Sequence, residues 1–271
     1  MKKRLSLLLA GILSVGLLAG CGGGSGSDDK TITVGATPNP HAEILELIKP
    51  ELEAKGYTLV VQEFSDYATL NPALVSGDMD ANCFQHEPYL QDFNEKNNAD
   101  LVAAFGVHYE PMGIYAGKTK SLEELQDGAT ISIPSDATNE ARALWLLESQ
   151  GLIKLDEAAG LNATPIDIVE NPKNLKFSEL GAEQLPRSLQ DVDLAVINGN
   201  YALQGGLQIS DALAIEDKES VGAQTYQNIV AVRAEDVDSA KTQALKEALQ
   251  SDTVRQFIEE KYPDGSVVAA F

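Results

Sequence analysis

The sequence predicts an α/β fold with largely parallel sheets, and three observations carry that expectation. Strand-like and helix-like segments alternate from residue 31 to residue 262. Setting aside an N-terminal leader leaves about 240 residues, enough for one large domain or two modest lobes. No repeat of 20–50 residues points instead to a solenoid or propeller.

The elements follow in order. Residues 31–35 read as a strand, and 42–52 have helical spacing through Ile44, Leu45, Leu47, Ile48 and Leu52. Residues 57–64 form the next strand, and 68–75 a short helix ended by Gly77. A strand over 81–85 runs into Glu87–Pro88, where proline suits the first turn of a helix. Residues 101–107 and 112–116 are extended. Ser121–Leu122–Glu123–Glu124 has the pattern of a capping box and predicts a helix to Gln126. A strand over 129–133 precedes an apolar helix over 138–150, stopped by Gly151. Further strands are expected over 165–169, 175–180, 194–197 and 229–233, and one or two helices over 241–262.

The chain opens on Met1–Lys2–Lys3–Arg4 and an apolar run from Leu5 to Leu18. A basic start followed by a short apolar run is an export signal. It is shorter than the roughly 20 residues a comfortable membrane span needs. Leu18–Ala19–Gly20–Cys21 looks like a bacterial lipobox, so residues 1–20 are expected to be removed and Cys21 to carry lipid. Residues 21–30, rich in Gly and Ser, suit a flexible tether. A lipid anchor lets a polar chain stay at a membrane. The expected place is the extracytoplasmic face of the cell membrane.

The formal charge is −21. Removing the three leader cations leaves 17 basic against 41 acidic residues, or −24. Such a surface repels nucleic acid and anionic lipid. With Cys21 lipidated, Cys83 has no partner, and no disulfide framework is expected.

In α/β sheets ligands bind at the carboxyl ends of strands. Three such ends carry unusual polar residues. Ile131 to Arg142 reads as strand, polar turn and helix start, with Asn139 and Arg142 in that start. A helix N-terminus attracts anions and disfavours a cation by roughly 0.3–1 kcal/mol. Arg142 there implies either a bound anion or a salt bridge to Asp136, Glu140 or another acidic side chain. The second end, Ile197–Asn198–Gly199–Asn200, offers amide donors and acceptors or an ordinary Asn–Gly turn. The third places Asn228 before a strand. Aromatic residues crowd the N-terminal half, and most are expected in the core. Phe84–Gln85–His86–Glu87–Pro88–Tyr89 differs in mixing rings with polar groups at a strand-to-helix junction.

Catalytic patterns are missing. Gly117–Lys118–Thr119 would end a phosphate loop, but the glycine required five residues earlier is Met112. There is no Gly-x-Ser-x-Gly elbow and no His-Glu-x-x-His. His41, His86 and His108 match no common metal spacing. No metal, no cofactor and no enzymatic activity are expected.

The chain resembles the methionine-binding lipoproteins of bacterial ABC importers, the MetQ/NlpA family. The resemblance rests on Val34–Gly35–Ala36–Thr37–Pro38, Pro40–His41–Ala42–Glu43–Ile44–Leu45, Asp80–Ala81–Asn82, Phe84–Gln85–His86 and Glu110–Pro111–Met112–Gly113. It continues through Val169–Glu170–Asn171–Pro172–Lys173–Asn174–Leu175, Gln184–Leu185–Pro186–Arg187–Ser188–Leu189 and Ala195–Val196–Ile197–Asn198. It implies a two-lobed periplasmic-binding-protein fold of type II, with the ligand cleft between lobes. Lobe one would comprise 31–110 and 230–271, and lobe two 111–229. It implies an amino-acid receptor, a monomer, that hands L-methionine to an ABC permease and its ATPase. A methionine-containing dipeptide or another amino acid is the alternative ligand, and a surface interaction lipoprotein the alternative role. By position, Arg142 and Asn139 would meet the ligand carboxylate, and Asn198 and Asn228 its backbone. Tyr67, Phe84 and His86 would line the thioether site. His108 stands where some members have an aromatic ring and is counted with them. Cys83 departs from the aromatic or aliphatic residue expected before Phe84.

Overall fold

In a computed structural model, residues 30–217 and 225–271 are described. The leader, Cys21 and nearly all of the tether lie outside them. Among the described residues no helix is long and apolar enough to cross a membrane.

The first four strands are β1 (Thr31–Ala36), β2 (Thr58–Glu63), β3 (Ala81–His86) and β4 (Leu101–Tyr109). The chain then crosses to β5 (Gly113–Ala116) and β6 (Thr130–Pro134), makes a small ribbon of β7 (Lys154–Leu155) and β8 (Ile168–Glu170), and adds β9 (Lys176–Leu180), β10 (Leu194–Ile197) and β11 (Ala212–Ile215). It returns through β12 (Asn228–Arg233) and finishes with β13 (Val268–Ala269). One sheet has the order β13-β4-β12-β3-β1-β2, the other β11-β5-β10-β6-β9. Two α/β lobes result.

Both sheets are mixed, which corrects the expectation of largely parallel ones. Strands β2, β1 and β3 are parallel, as are β10, β6 and β9. The other pairings in these two sheets are antiparallel. The cause is the crossing itself. A strand that comes back from the other lobe enters at the cleft end, opposite to strands fed by helices of its own lobe.

Each sheet buries both faces, and strand periodicity sorts the side chains. In β10, Leu194 and Val196 join one core while Ala195 and Ile197 join another. In β12, Val230 and Val232 face a core shared with Leu45, Leu52, Leu245 and Ile258, while Ile229 and Ala231 face Leu74, Met79 and Leu90.

The helices are α1 (Glu43–Leu47), α2 (Lys49–Ala54), α3 (Leu70–Ser76), α4 (Glu87–Asn97), α5 (Ala137–Ser149), α6 (Leu185–Ser188), α7 (Gly199–Gln204), α8 (Ala240–Leu249) and α9 (Asp252–Lys261). The helix expected over 42–52 breaks at Ile48, because Pro50 lacks the N–H that would continue the first ladder. Residues 121–126 make a turn and no helix. The Ser121 hydroxyl does accept from Glu124 N, but Gly128 at φ 77° ends the segment before the costly nucleus is repaid. The start of the strand expected over 165–169 is a 3-10 turn, since the Asp167 carboxylate accepts from both Thr164 N and its hydroxyl at 2.8 Å.

Candidate functional site

The carboxyl ends of the parallel strands meet between the lobes. Phe84, Gln85 and His86 close β3, and α4 begins at the next residue. Asn139 and Arg142 lie on α5 shortly after β6, and Asn198 follows β10 at the start of α7. Asn228 opens β12 in register with His86 on one side and His108 on the other. Together with Tyr67, Tyr89, Glu110, Gly199 and Asn200 they line one narrow cleft between the lobes.

Seven of the eight residues expected from the sequence line this cavity: Tyr67, Phe84, His86, Asn139, Arg142, Asn198 and Asn228. His108 does not. It is fully buried behind Glu110, and its Nε2 donates to Glu110 Oε1 at 2.7 Å. Tyr89, Glu110, Gln85, Gly199 and Asn200 also line it and were not singled out as ligand contacts. A signal exists for four of them: Gln85 and Tyr89 stand on the aromatic-polar junction, and Gly199 and Asn200 on the strand end of Asn198.

One end of the cavity is aromatic. Tyr67 and Phe84 have ring centroids 5.5 Å apart, Phe84 and Tyr89 5.6 Å, and Tyr67 and Tyr89 6.0 Å. Tyr67 also spans the lobes, its hydroxyl donating to Asn200 Oδ1 at 2.5 Å.

The other end is polar and almost fully paired. Asp136 caps α5, accepting from the Asn139 backbone at 3.0 Å and holding its side-chain amide at 2.9 Å. That fixes Asn139 Oδ1 toward the cleft, where it accepts from His86 Nε2 at 3.1 Å and Asn198 Nδ2 at 2.8 Å. His86 Nδ1 accepts from Tyr89 N, so the ring is neutral with its proton on Nε2. Burial pushes its pKa down to about 3, helped by the charge of Arg142. Asn198 Oδ1 is buried without a hydrogen-bond partner among the described residues.

Arg142 begins the second turn of α5, not the first, and it has found a carboxylate. Its Nε donates to Glu216 Oε1 at 2.7 Å, and its Nη2 to Glu216 Oε2 at 2.6 Å and Glu110 O at 2.9 Å. The acid is neither Asp136 nor Glu140. The Tyr226 ring stacks 4.5 Å from the guanidinium. Burial opposes the charge, and Glu216 outweighs it, so the guanidinium stays firmly protonated.

Glu110 is the second buried charge. Its Oε1 receives His108 Nε2, and it lies 3.5 Å from His41 Nε2 and 3.4 Å from Asn228 Nδ2. Its carboxyl pKa is raised by burial, against which His41 and Arg142 pull downward. Gly199 permits the approach of the second lobe here, since a Cβ on it would stand 2.8 Å from Glu110 Cβ. His41, His108 and Glu110 bring potential ligand atoms within 4.8 Å of one another. Hydrogen bonding already accounts for most of them. His41 Nδ1 takes the Thr37 hydroxyl at 2.9 Å, and its Nε2 faces Asn228 Oδ1 at 3.2 Å. His108 Nε2 sits at ordinary hydrogen-bond distance from the carboxylate, and only its Nδ1 is unpaired among the described residues.

A narrow cleft between two mixed α/β lobes, with a charged end and a ring-lined end, defines the architecture of a periplasmic-type solute-binding protein. The chain belongs to the NlpA lipoprotein family, whose model matches residues 32–271. It is 44% identical over 271 residues to the methionine-binding lipoprotein MetQ of Bacillus subtilis, covering 97% of each chain. It is 41% identical over 254 residues to the D-methionine-binding lipoprotein MetQ of Escherichia coli, covering 92% of each. A nutrient-binding protein from Burkholderia cenocepacia, solved bound to methionine, superposes with a TM-score of 0.83 at 47% identity, over 89% of this chain and 100% of that one.

Proposed function

We propose that the protein is the substrate-binding lipoprotein of an ABC importer, capturing methionine, in the first place L-methionine, outside the membrane and delivering it to a permease and its ATPase. The observation that carries this reading is the division of one cavity into a ring-lined end and an end with both charge signs. A zwitterion with an apolar side chain matches it.

Each residue then has a task. Arg142 receives the α-carboxylate, flanked by Asn139. Glu110, Asn228 and the unpaired oxygen of Asn198 face the ammonium. Tyr67, Phe84 and Tyr89, with the edge of His86, hold the thioether, where sulfur–ring contacts are worth roughly 0.3–1.5 kcal/mol each. His108 acts from behind, fixing the Glu110 carboxylate. The lobes are 31–110 with 230–271, and 111–229, with crossings near Glu110–Gly113 and Asn228–Val230. Closure of such lobes on a ligand gives the form a transporter recognises.

No chemistry is performed on the ligand. Burial pushes the Cys83 thiol up to about 12, leaving it unreactive at neutral pH. The chain is held at the extracytoplasmic face by lipid on Cys21 and works as a monomer.

The test is ligand capture. Protein purified without its lipid is stripped of ligand by unfolding and refolding, then heated with and without methionine. A receptor gains thermal stability by mass action. An unchanged melting temperature with millimolar methionine would contradict the reading.

A further inference from the structure

Glu216 lies at the end of β11, where the chain sets out to return to the first lobe, and it lies outside the cavity wall. Four donors converge on its carboxylate. Arg142 Nε meets Oε1, while Arg142 Nη2, the Tyr109 hydroxyl and the Met112 N–H all meet Oε2, at 2.6–2.9 Å. Its own N–H donates to Met112 O at 3.0 Å. The residue thus ties together the end of β4, the first crossing, the start of the second crossing and the guanidinium on α5.

We infer that Glu216 is a positioning residue for ligand binding. It grips Arg142 by the Nε–Nη2 edge and leaves Nη1 to meet the ligand carboxylate. The inference rests on the proposal that Arg142 receives that carboxylate.

Among the described residues none accepts from Arg142 Nη1, whereas Nε and Nη2 are both engaged. The ligand therefore meets a donor edge held in place in advance, rather than a long side chain that must be ordered on binding. Only a carboxylate satisfies the four donors, because a glutamine would turn its NH₂ toward at least one of them. The Glu216 charge also repels the ligand carboxylate. The test must therefore separate positioning, whose loss weakens binding, from competition, whose loss tightens it.

The test is a double-mutant cycle of Glu216→Gln and Arg142→Ala on the full mature chain, read by calorimetric titration of methionine up to millimolar concentration. Circular dichroism and melting curves first establish folding. Glu216→Gln is expected to lower methionine affinity at least about 10-fold when Arg142 is present, roughly the strength of one charge-assisted hydrogen bond. In the Arg142→Ala background it is expected to add less than about 3-fold, the ordinary error of additivity. Unchanged or tighter binding in Glu216→Gln would overturn the positioning role, and so would a full additional loss in the double variant. Full affinity in Arg142→Ala would instead overturn the carboxylate assignment itself, a distinct outcome. Should Glu216→Gln not fold, Glu216→Asp keeps the charge and withdraws it by one methylene. Lowered methionine affinity there supports positioning, and unchanged affinity refutes it.

Discussion

Asn198 donates one amide hydrogen to Asn139 Oδ1 at 2.8 Å and keeps a buried oxygen to which no described residue donates. The two asparagines come from different elements of the second lobe, α5 and the end of β10. Asp136 orients the first of them, and that orientation decides which end of Asn198 is left over. A buried acceptor without a donor costs about 1–3 kcal/mol. On the proposed assignment, a ligand ammonium would remove that cost on binding.

Asn198→Ala is therefore expected to weaken methionine about 10-fold, the free energy of one hydrogen bond to a charged group. The desamino analogue of methionine should be affected less. Competition binding with both ligands checks this. An equal loss for both would place the effect on lobe closure instead of the ammonium.

Arg142→Ala leaves Glu216 without its cation and, on the proposed assignment, the ligand carboxylate as well. Truncating one member of a buried charge pair costs about 2–5 kcal/mol. Methionine affinity is expected to fall at least roughly 30-fold. Arg142→Lys should recover little, because one ammonium cannot reach Glu216 in two-pronged fashion and a ligand as well. Phe84→Ala should weaken methionine more than alanine, since only the longer side chain reaches the rings. Titration of each folded variant reads these outcomes.

Acid should destabilise the fold through its histidines. Burial lowers His41 to about 4 and His86 and His108 to about 3, against 6.5 in the unfolded chain. As pH falls below 6.5 the unfolded chain takes up protons that the folded one refuses, so stability drops until pH 4–3. Glu110 and Asp136, both raised by burial, oppose the trend. His108→Gln keeps a donor for Glu110 and removes one titrating ring. Its melting temperature is expected to fall less steeply than that of the unaltered protein between pH 6.5 and 4. A parallel slope would refute the assignment.

Glu140 predicts the opposite sign. It is 6% exposed, its Oε1 is unpaired among the described residues, and burial, with Glu179 and Asp136 nearby, raises its pKa to about 7. The folded state holds a proton there that the unfolded chain loses near 4.5, so this contribution to stability vanishes as pH rises from 4.5 through 7. Glu140→Gln should stabilise the protein at pH 8 by up to about 3 kcal/mol and make little difference at pH 4.5. Chemical denaturation at the two pH values distinguishes this from a uniform effect.

Much of the site was readable because its residues sit where local patterns are strong. Strand β10 occupies 194–197 as its unbroken apolar run predicts, and the polar residue that follows stands at the carboxyl end of that strand. The same holds for β3 with Phe84 and His86, and for the helix carrying Asn139 and Arg142. Pairings distant in sequence were not readable. Glu216 lies 74 residues from Arg142, in a stretch whose composition does not set it apart among the 41 acidic residues of the chain. His41, His108 and Glu110 converge only because β4 and the segment after β1 flank the same returning strand. The mixed sheets were hidden for a related reason, since strand direction depends on which lobe the chain arrives from. The break at Ile48 differs: Pro50 announced it, and helical periodicity outweighed it in the reading.

This cleft is expected to take up methionine. Calorimetric titration of L-methionine into stripped, refolded protein measures it most directly. Saturable binding of one methionine per chain, tighter than that of leucine and lost in Arg142→Ala, is the predicted result. Absence of a binding isotherm at millimolar methionine, in protein whose fold is intact, would contradict the account.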